Sequence, residues 1–286
     1  YQSTPNTGRV RDHWHTMTRP GKAPRLNAHE VEPGVTLHAR DAQQAGVTDG
    51  ALAQITSRWG SMLARVHVSD EQRAGHVFIP IHWNDQYARN AAVDKLVNPV
   101  VDPISGQPEF KHTPVRVTQY AAAWYGFLLS RRVLELGHPS PLPGDGSEDA
   151  ERDIIHFWVR TKSNGCYRYE LAGLNKPGDW AAWARSLLCH TDGKAEWSEF
   201  LDRRAGRYRA APIVNNRLES CLFIAPDPAL PSRSWLGGLF EQDILTDTAR
   251  TSLLAGKPRQ GDSDAGEVVC ACFAVGNKTI LRAIQN

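Results

Sequence analysis

The residue types best suited to chemistry stand near the start of the chain, in Asn6-Thr7-Gly8-Arg9-Val10-Arg11-Asp12-His13-Trp14-His15-Thr16-Met17-Thr18-Arg19. Guanidinium and imidazole donors, several hydroxyls and a glycine that permits close backbone approach are the parts of a phosphate-gripping site. A solvated polar segment has the same composition. A second group joins Pro80-Ile81-His82-Trp83-Asn84 to Asp102-Pro103-Ile104-Ser105-Gly106-Gln107-Pro108-Glu109-Phe110-Lys111. Its prolines and glycine stiffen the backbone, while Ser105, Gln107, Glu109 and Lys111 offer polar contacts. A rigid crossover would need no more than that. The third group is Cys270-Ala271-Cys272, whose two thiolates can reach one soft metal or cluster from a single turn; two buried thiols without a role are the alternative. Cys166, Cys189 and Cys221 sit in apolar contexts and read as structural.

These groups must be held by folded elements. Val35–Ala39, Leu52–Arg58, Met62–Val68 and Val77–Ile81 read as strands. Asp49-Gly50, Trp59-Gly60 and Arg73-Ala74-Gly75 supply the reversals between them. Asp41 is expected to cap a short helix over Ala42–Ala45 that Gly46 stops, and Thr113–Gln119 to close a barrel-like domain. From Tyr120 the spacing predicts a helix, with Tyr120, Trp124, Phe127, Leu128 and Leu134 on one face before Gly137. A Pro- and Gly-rich loop (138–147) and an acidic patch (148–153) follow. A strand is expected over Ile154–Arg160, a helix over Asp179–Cys189, and a hairpin from Arg207–Val214 and Leu218–Ala225 turning at Asn215-Asn216-Arg217.

With 286 residues, the chain is long enough for two domains at ~100–200 residues each. Its 41% hydrophobic and 22% charged residues exclude wholesale disorder, and a net charge of +2 gives no global field for nucleic acid or an acidic membrane face. The longest apolar stretch, Ala121–Leu129, meets Arg131 and Arg132 well short of the ~20 residues of a membrane span. Five irregularly spaced cysteines suit a reducing, cytoplasmic setting better than a disulfide framework. The opening Tyr1-Gln2-Ser3-Thr4 carries no signal pattern and no initiator Met, so the chain is expected to be an internal piece of a longer one.

At the three groups the sequence resembles the C-terminal part of the bacterial assimilatory nitrate reductase catalytic subunits, within the molybdopterin oxidoreductases. Residues 7–19 look like the opening of that family's molybdopterin-dinucleotide-binding domain, and residues 102–111 like its end. Val268-Val269-Cys270-Ala271-Cys272-Phe273 with Gly276-Asn277-Lys278-Thr279-Ile280 looks like the start of a bacterioferritin-associated-ferredoxin-type [2Fe-2S] domain. The resemblance implies an α+β chain: a double-psi β-barrel (1–120), a connecting region (121–204), a small α/β domain (205–262) and the start of a helical [2Fe-2S] domain (263–286).

It further implies Mo-bis(molybdopterin guanine dinucleotide), touched by Thr7, Gly8, Arg9, His13, His15, Thr16 and Thr18 and approached by His82, Asp94 and Lys111. His13 stands where relatives often have Gln, and Asp94-Lys95-Leu96-Val97 where an Asn-x-Leu-Thr-like element is common. Cys270 and Cys272 would be cluster ligands; the later Cys-x-x-Cys of that domain is absent before Asn286, so the set is incomplete. The molybdenum ligand and a [4Fe-4S] cluster are expected before Tyr1, leaving this stretch inactive alone. The implied reaction is reduction of nitrate to nitrite, with electrons from a ferredoxin, a flavodoxin or an NADH-dependent reductase subunit. A different molybdopterin enzyme, such as a formate dehydrogenase, and a non-catalytic cofactor-binding or electron-transfer module are the alternatives.

Overall fold

The computed structural model describes residues 2–136, 154–188, 194–258, 266, 268–273 and 275–285. The predicted loop at 138–147, the acidic patch at 148–153 and Cys189 lie outside the described residues.

The first unit contains β1 (Thr4–Gly8), β2 (Gly34–Leu37), helix α1 (Ala39–Ala45), β3 (Leu52–Thr56), β4 (Ser61–Val68), β5 (His76–Pro80), β6 (Ala88–Arg89), β7 (Asn98–Val101), β8 (Pro108–Glu109) and β9 (Arg116–Gln119). Six of these strands form a mixed sheet in the order β1-β5-β2-β4-β3-β9, with β1–β5 and β2–β4 parallel. Just outside its two edge strands, Ser3 and Val115 exchange backbone hydrogen bonds of 2.8 and 2.9 Å, which closes the sheet into a barrel. Val35, Leu37, Ile55, Met62, Val66, Val77 and Ile79 fill the interior. The Gly-punctuated strands expected over 35–81 are all present within a residue or two. The helix between them differs in its cap: His38 is the N-cap, its ring accepting from the Arg40 N–H at 3.0 Å, and Gly46 ends the helix at φ 67°. Asp41 lies inside the first turn and accepts instead from the Gly75 N–H at 2.6 Å, tying helix to barrel.

Residues 120–136 do not form the predicted helix. Trp124–Ser130 is a strand, β10, buried along its whole length. A continuous apolar run fits a helix or a strand covered on both sides, and periodicity alone does not separate them. Here Trp124 and Leu128 enter one core while Phe127 and Leu129 enter another on the opposite face, the period of two that defines a strand. β10 sits near the middle of an antiparallel sheet with β11 (Phe157–Lys162), β12 (Tyr167–Gly173), β13 (Glu196–Asp202), β14 (Arg207–Val214), β15 (Arg217–Leu218) and β16 (Ser220–Ala225), in the order β13-β14-β16-β10-β12-β11-β6 with β15 paired to β14. Helix α2 (Trp180–Leu188) covers one face; α3 (Arg233–Leu239) and α4 (Asp247–Ser252) cover the other. Because the pairing is antiparallel throughout, this region is α+β in construction rather than α/β. The predicted boundary at 204/205 falls in the β13–β14 turn, so strands from both sides build one sheet. Asn215 and Asn216, at φ 50° and 60°, make the two-residue reversal between β14 and β15.

The two units share a core. β6, from the first, pairs with β11, and Met17, Leu63, Trp83, Tyr120, Tyr125 and Phe157 form one buried cluster spanning both. The C-terminal stretch adds a hairpin of β17 (Val268–Cys270) and β18 (Val275–Gly276), then helix α5 (Asn277–Gln285).

Candidate cofactor-binding site

Parallel β1 and β5 end side by side, with Gly8 opposite Pro80. The loops that leave them, residues 9–19 and 81–84, therefore emerge at the same end of the barrel. This brings the first two chemical groups of the sequence together. A Cβ on Gly8 would lie 2.9 Å from the Phe78 ring, so a side chain there would displace it.

His82 joins the two loops. It is fully buried; the Val10 N–H donates to its Nε2 at 3.0 Å, and its Nδ1–H donates to the His15 carbonyl at 2.5 Å. One nitrogen accepting and the other donating defines a neutral imidazole with both positions used. Burial pushes its pKa down, in agreement with that state. The loop it braces is strained: His15 and Met17 have φ of 45° and 55°, and such residues cost ~1–3 kcal/mol each unless their surroundings impose the conformation. His82 holds the carbonyl of the first, and the shared core holds the Met17 side chain.

His13 is buried beside His82 and Trp83, with ring centroids 5.2 and 5.3 Å away. Its Nε2–H donates to the Glu30 carbonyl at 2.9 Å. The burial that lowers its pKa keeps the ring neutral, which leaves Nδ1 as an acceptor, and this buried atom has no hydrogen-bond partner. The Nε1–H donor of Trp83 is likewise buried without a partner. Unmet buried polar atoms are costly and mark a place where a ligand's complementary groups would be stabilised.

Cationic groups stand in the same loops. Arg9 lies over the Trp14 ring at 4.5 Å and Arg19 at 5.6 Å. Lys111 donates from Nζ to Asn6 Oδ1 and to the Thr7 carbonyl, both at 2.6 Å, while Thr7 Oγ1 donates to the Phe110 carbonyl at 2.8 Å. The 102–111 loop is thereby fastened to β1. Among the described residues, Arg9, Arg19 and Lys111 have no acidic partner, whereas Arg11 is paired with Asp12. Thr18 Oγ1 donates to the Trp14 carbonyl, and His15 lies edge-on to Trp14 at 4.9 Å. Thr16 is half-buried in the same loop. Asp94 is exposed on the short turn Val93–Leu96 and makes no hydrogen bond or ion pair with any of these residues.

The third group meets the first across the fold. His29 donates from Nε2 to the Val269 carbonyl at 3.1 Å, Arg25 donates to the Cys272 carbonyl at 3.5 Å, and Ala271 between the cysteines is buried. His29 also touches Asp12 through Nδ1. Arg11, whose pKa is raised first by Asp12, lies within Coulombic reach of both thiols. Cys270 is half-buried and Cys272 exposed. Among the described residues no third His, Cys, Asp or Glu completes a metal-sized group. Cys166 and Cys221 are buried, and burial pushes the Cys166 thiol up to about 12 and that of Cys221 higher still. Both behave as inert core residues. Nothing local in the sequence pointed to Arg25 and His29, since their partners are some 240 residues away.

Residues 4–114 match the family described as the molydopterin dinucleotide binding domain. The chain is 35% identical over 283 residues, 98% of its length, to a nitrate reductase of Klebsiella oxytoca, of which it covers 30%. It is also 35% identical over 111 residues to the assimilatory nitrate reductase catalytic subunit of Bacillus subtilis, covering 39% of this chain and 15% of that protein. These likenesses bear out the resemblance to molybdopterin oxidoreductases. The chain spans less than a third of these relatives. Among solved structures, an acetylene hydratase from Pelobacter acetylenicus is alike at a TM-score of 0.36 and 15% identity over 41% of this chain and 18% of that one, too distant to carry an argument. Among the described residues no helix is long and apolar enough to cross a membrane.

Proposed function

We propose that residues 4–114 bind one end of Mo-bis(molybdopterin guanine dinucleotide), and that the protein containing this chain reduces nitrate to nitrite. The observation that carries the reading is the buried, unpartnered Nδ1 of His13 in a loop that also carries Arg9 and Arg19, with Lys111 fastened to the start of that loop; among the described residues none of the three cations has an acidic partner. Such a site suits a polyanionic ligand with ring N–H groups. Arg9, Arg19 and Lys111 would hold phosphate oxygens, and Gly8 leaves room for the Phe78 ring beneath the loop. His13 would accept from a ring donor, Thr7, Thr16 and Thr18 would border the ligand, and His15 would bias the pterin. His82 is a positioning residue that keeps the loop in shape. When bound, the molybdenum and its pterins supply the two-electron oxygen-transfer chemistry.

The mixed, closed barrel is read as a double-psi barrel. Cys270 and Cys272 are read as half of a [2Fe-2S] ligand set, and their docking on His29, one contact from Asp12 in the cofactor loop, supports electron entry on this side. A [4Fe-4S] cluster would belong to another part of the protein. The donor is a reduced ferredoxin, a flavodoxin or an NADH-dependent reductase subunit, and the setting is the cytoplasm. Assay of the full-length protein with a reduced dye tests the substrate: nitrate-dependent dye oxidation supports the reading, and its absence in a molybdenum-loaded protein that oxidises formate contradicts it.

A further inference from the structure

The antiparallel unit has a cavity of about 360 Å3 far along the chain from the cofactor loop, bounded by β14, β16, the turn before α3 and the segment after α4. Arg207, Arg209 and Lys257 line it together with Ser232, Leu230 and Trp235. Among the described residues, no acidic residue lines it and none of the three cations forms an ion pair. Arg207 and Arg209 are two apart on β14, which places both on the same face. Arg209 is held in position: it lies over Phe223 at 5.2 Å and Phe200 at 5.7 Å, and donates to the Leu254 carbonyl.

Arg209 is half-buried, and burial first and its like-charged neighbour Arg207 second lower its pKa. A bound dianion would relieve that repulsion. Two guanidinium forks and an ammonium suit phosphate oxygens, and Ser232 adds a hydroxyl. The remaining walls, Leu230 and Trp235, are apolar and aromatic. The volume falls in the ~300–1,000 Å3 range of small-molecule sites, larger than inorganic phosphate needs.

We propose that this cavity is a second ligand site, taking a phosphorylated small molecule of mononucleotide size with its phosphate on Arg207, Arg209 and Lys257 and its planar body toward Trp235. The site is independent of the cofactor reading, since it shares no residue with the barrel. Titration calorimetry at low salt tests it, with AMP, adenosine and pyrophosphate as probes. AMP is expected to saturate a single site, with adenosine and pyrophosphate each at least about tenfold weaker and with affinity falling as salt rises. The double variant Arg207→Gln, Lys257→Gln replaces two exposed side chains and should keep the fold, checked by circular dichroism, while losing about tenfold or more in AMP affinity. The proposal is overturned if AMP shows no saturable binding, if adenosine or pyrophosphate matches it, or if the folded double variant binds AMP as before.

Discussion

Replacing His82 by alanine isolates what shapes the cofactor loop. The ring is fully buried, so no water stands ready to substitute for it. Its loss strands the Val10 N–H, donated at 3.0 Å, and the His15 carbonyl, accepted at 2.5 Å. Leaving such groups unmet costs about 1–3 kcal/mol each, and partial access of water brings the local total to about 2–4 kcal/mol. At about 1.4 kcal/mol per decade, protection of the Val10 amide against hydrogen exchange should fall roughly 30- to 1,000-fold. A carboxamide can also accept and donate, so His82→Gln should recover part of the loss. Because the folded pKa of His82 is depressed, its contribution is present above the unfolded value of about 6.5 and is lost as pH falls through the folded value. Protonation also removes the acceptor that Val10 uses. Protection corrected for intrinsic rates should therefore decline below about pH 6.5 in the wild type and decline less in His82→Ala, where only the neighbouring His13, whose pKa burial also lowers, still contributes. Unchanged Val10 protection in His82→Ala would refute the bracing role.

Met17→Ala should destabilise the protein by about 2–5 kcal/mol in urea unfolding, because the side chain is buried in the core shared by the two units, and should weaken cofactor retention with it. Glu170 is buried; burial would raise its pKa, but Arg233 and Arg168 override this and hold it well below the usual carboxylate range. Glu170→Gln strands two cations and should cost about 3–5 kcal/mol at neutral pH. Since that pKa is depressed, the wild-type advantage over the variant should be full above about pH 4.3 and shrink as pH falls through the folded value, which unfolding at several pH values measures. In the full-length protein Cys270→Ser should lower iron content, whereas Cys221→Ser, in a buried apolar site, should not; equal iron in both would remove the cysteine pair from the ligand set.

The barrel strands could be read from the sequence because local signals punctuate them: Gly50 and Gly75, at φ 75° and 82°, sit at reversals between short alternating runs. Trp124–Ser130 misled because its side chains are apolar on both faces, and only the two cores that receive them distinguish strand from helix. The two-residue strand Ala88–Arg89 was not legible at all, since it exists only by pairing with Trp158 and Val159 some 70 residues on. The same division holds at the site. Residues 6–19 and 102–111 announced themselves by composition, and the parallel ends of β1 and β5 brought His82 to the first of them. What the sequence did not separate was contact from support: His82 and Thr18 spend their polar atoms on the loop itself, while His13 keeps one free.

Molybdenum and guanine-nucleotide content of the purified full-length protein, compared with its Arg9→Ala, Lys111→Ala variant, tests the cofactor reading most directly. Each lost charge-assisted contact should cost about 1.5–3 kcal/mol of cofactor binding. Metal and nucleotide present together in the wild type and largely lost from a still-folded variant is the expected result. A wild type devoid of both, or a variant that retains its full complement of each, would contradict the assignment of residues 4–114 as the cofactor's seat.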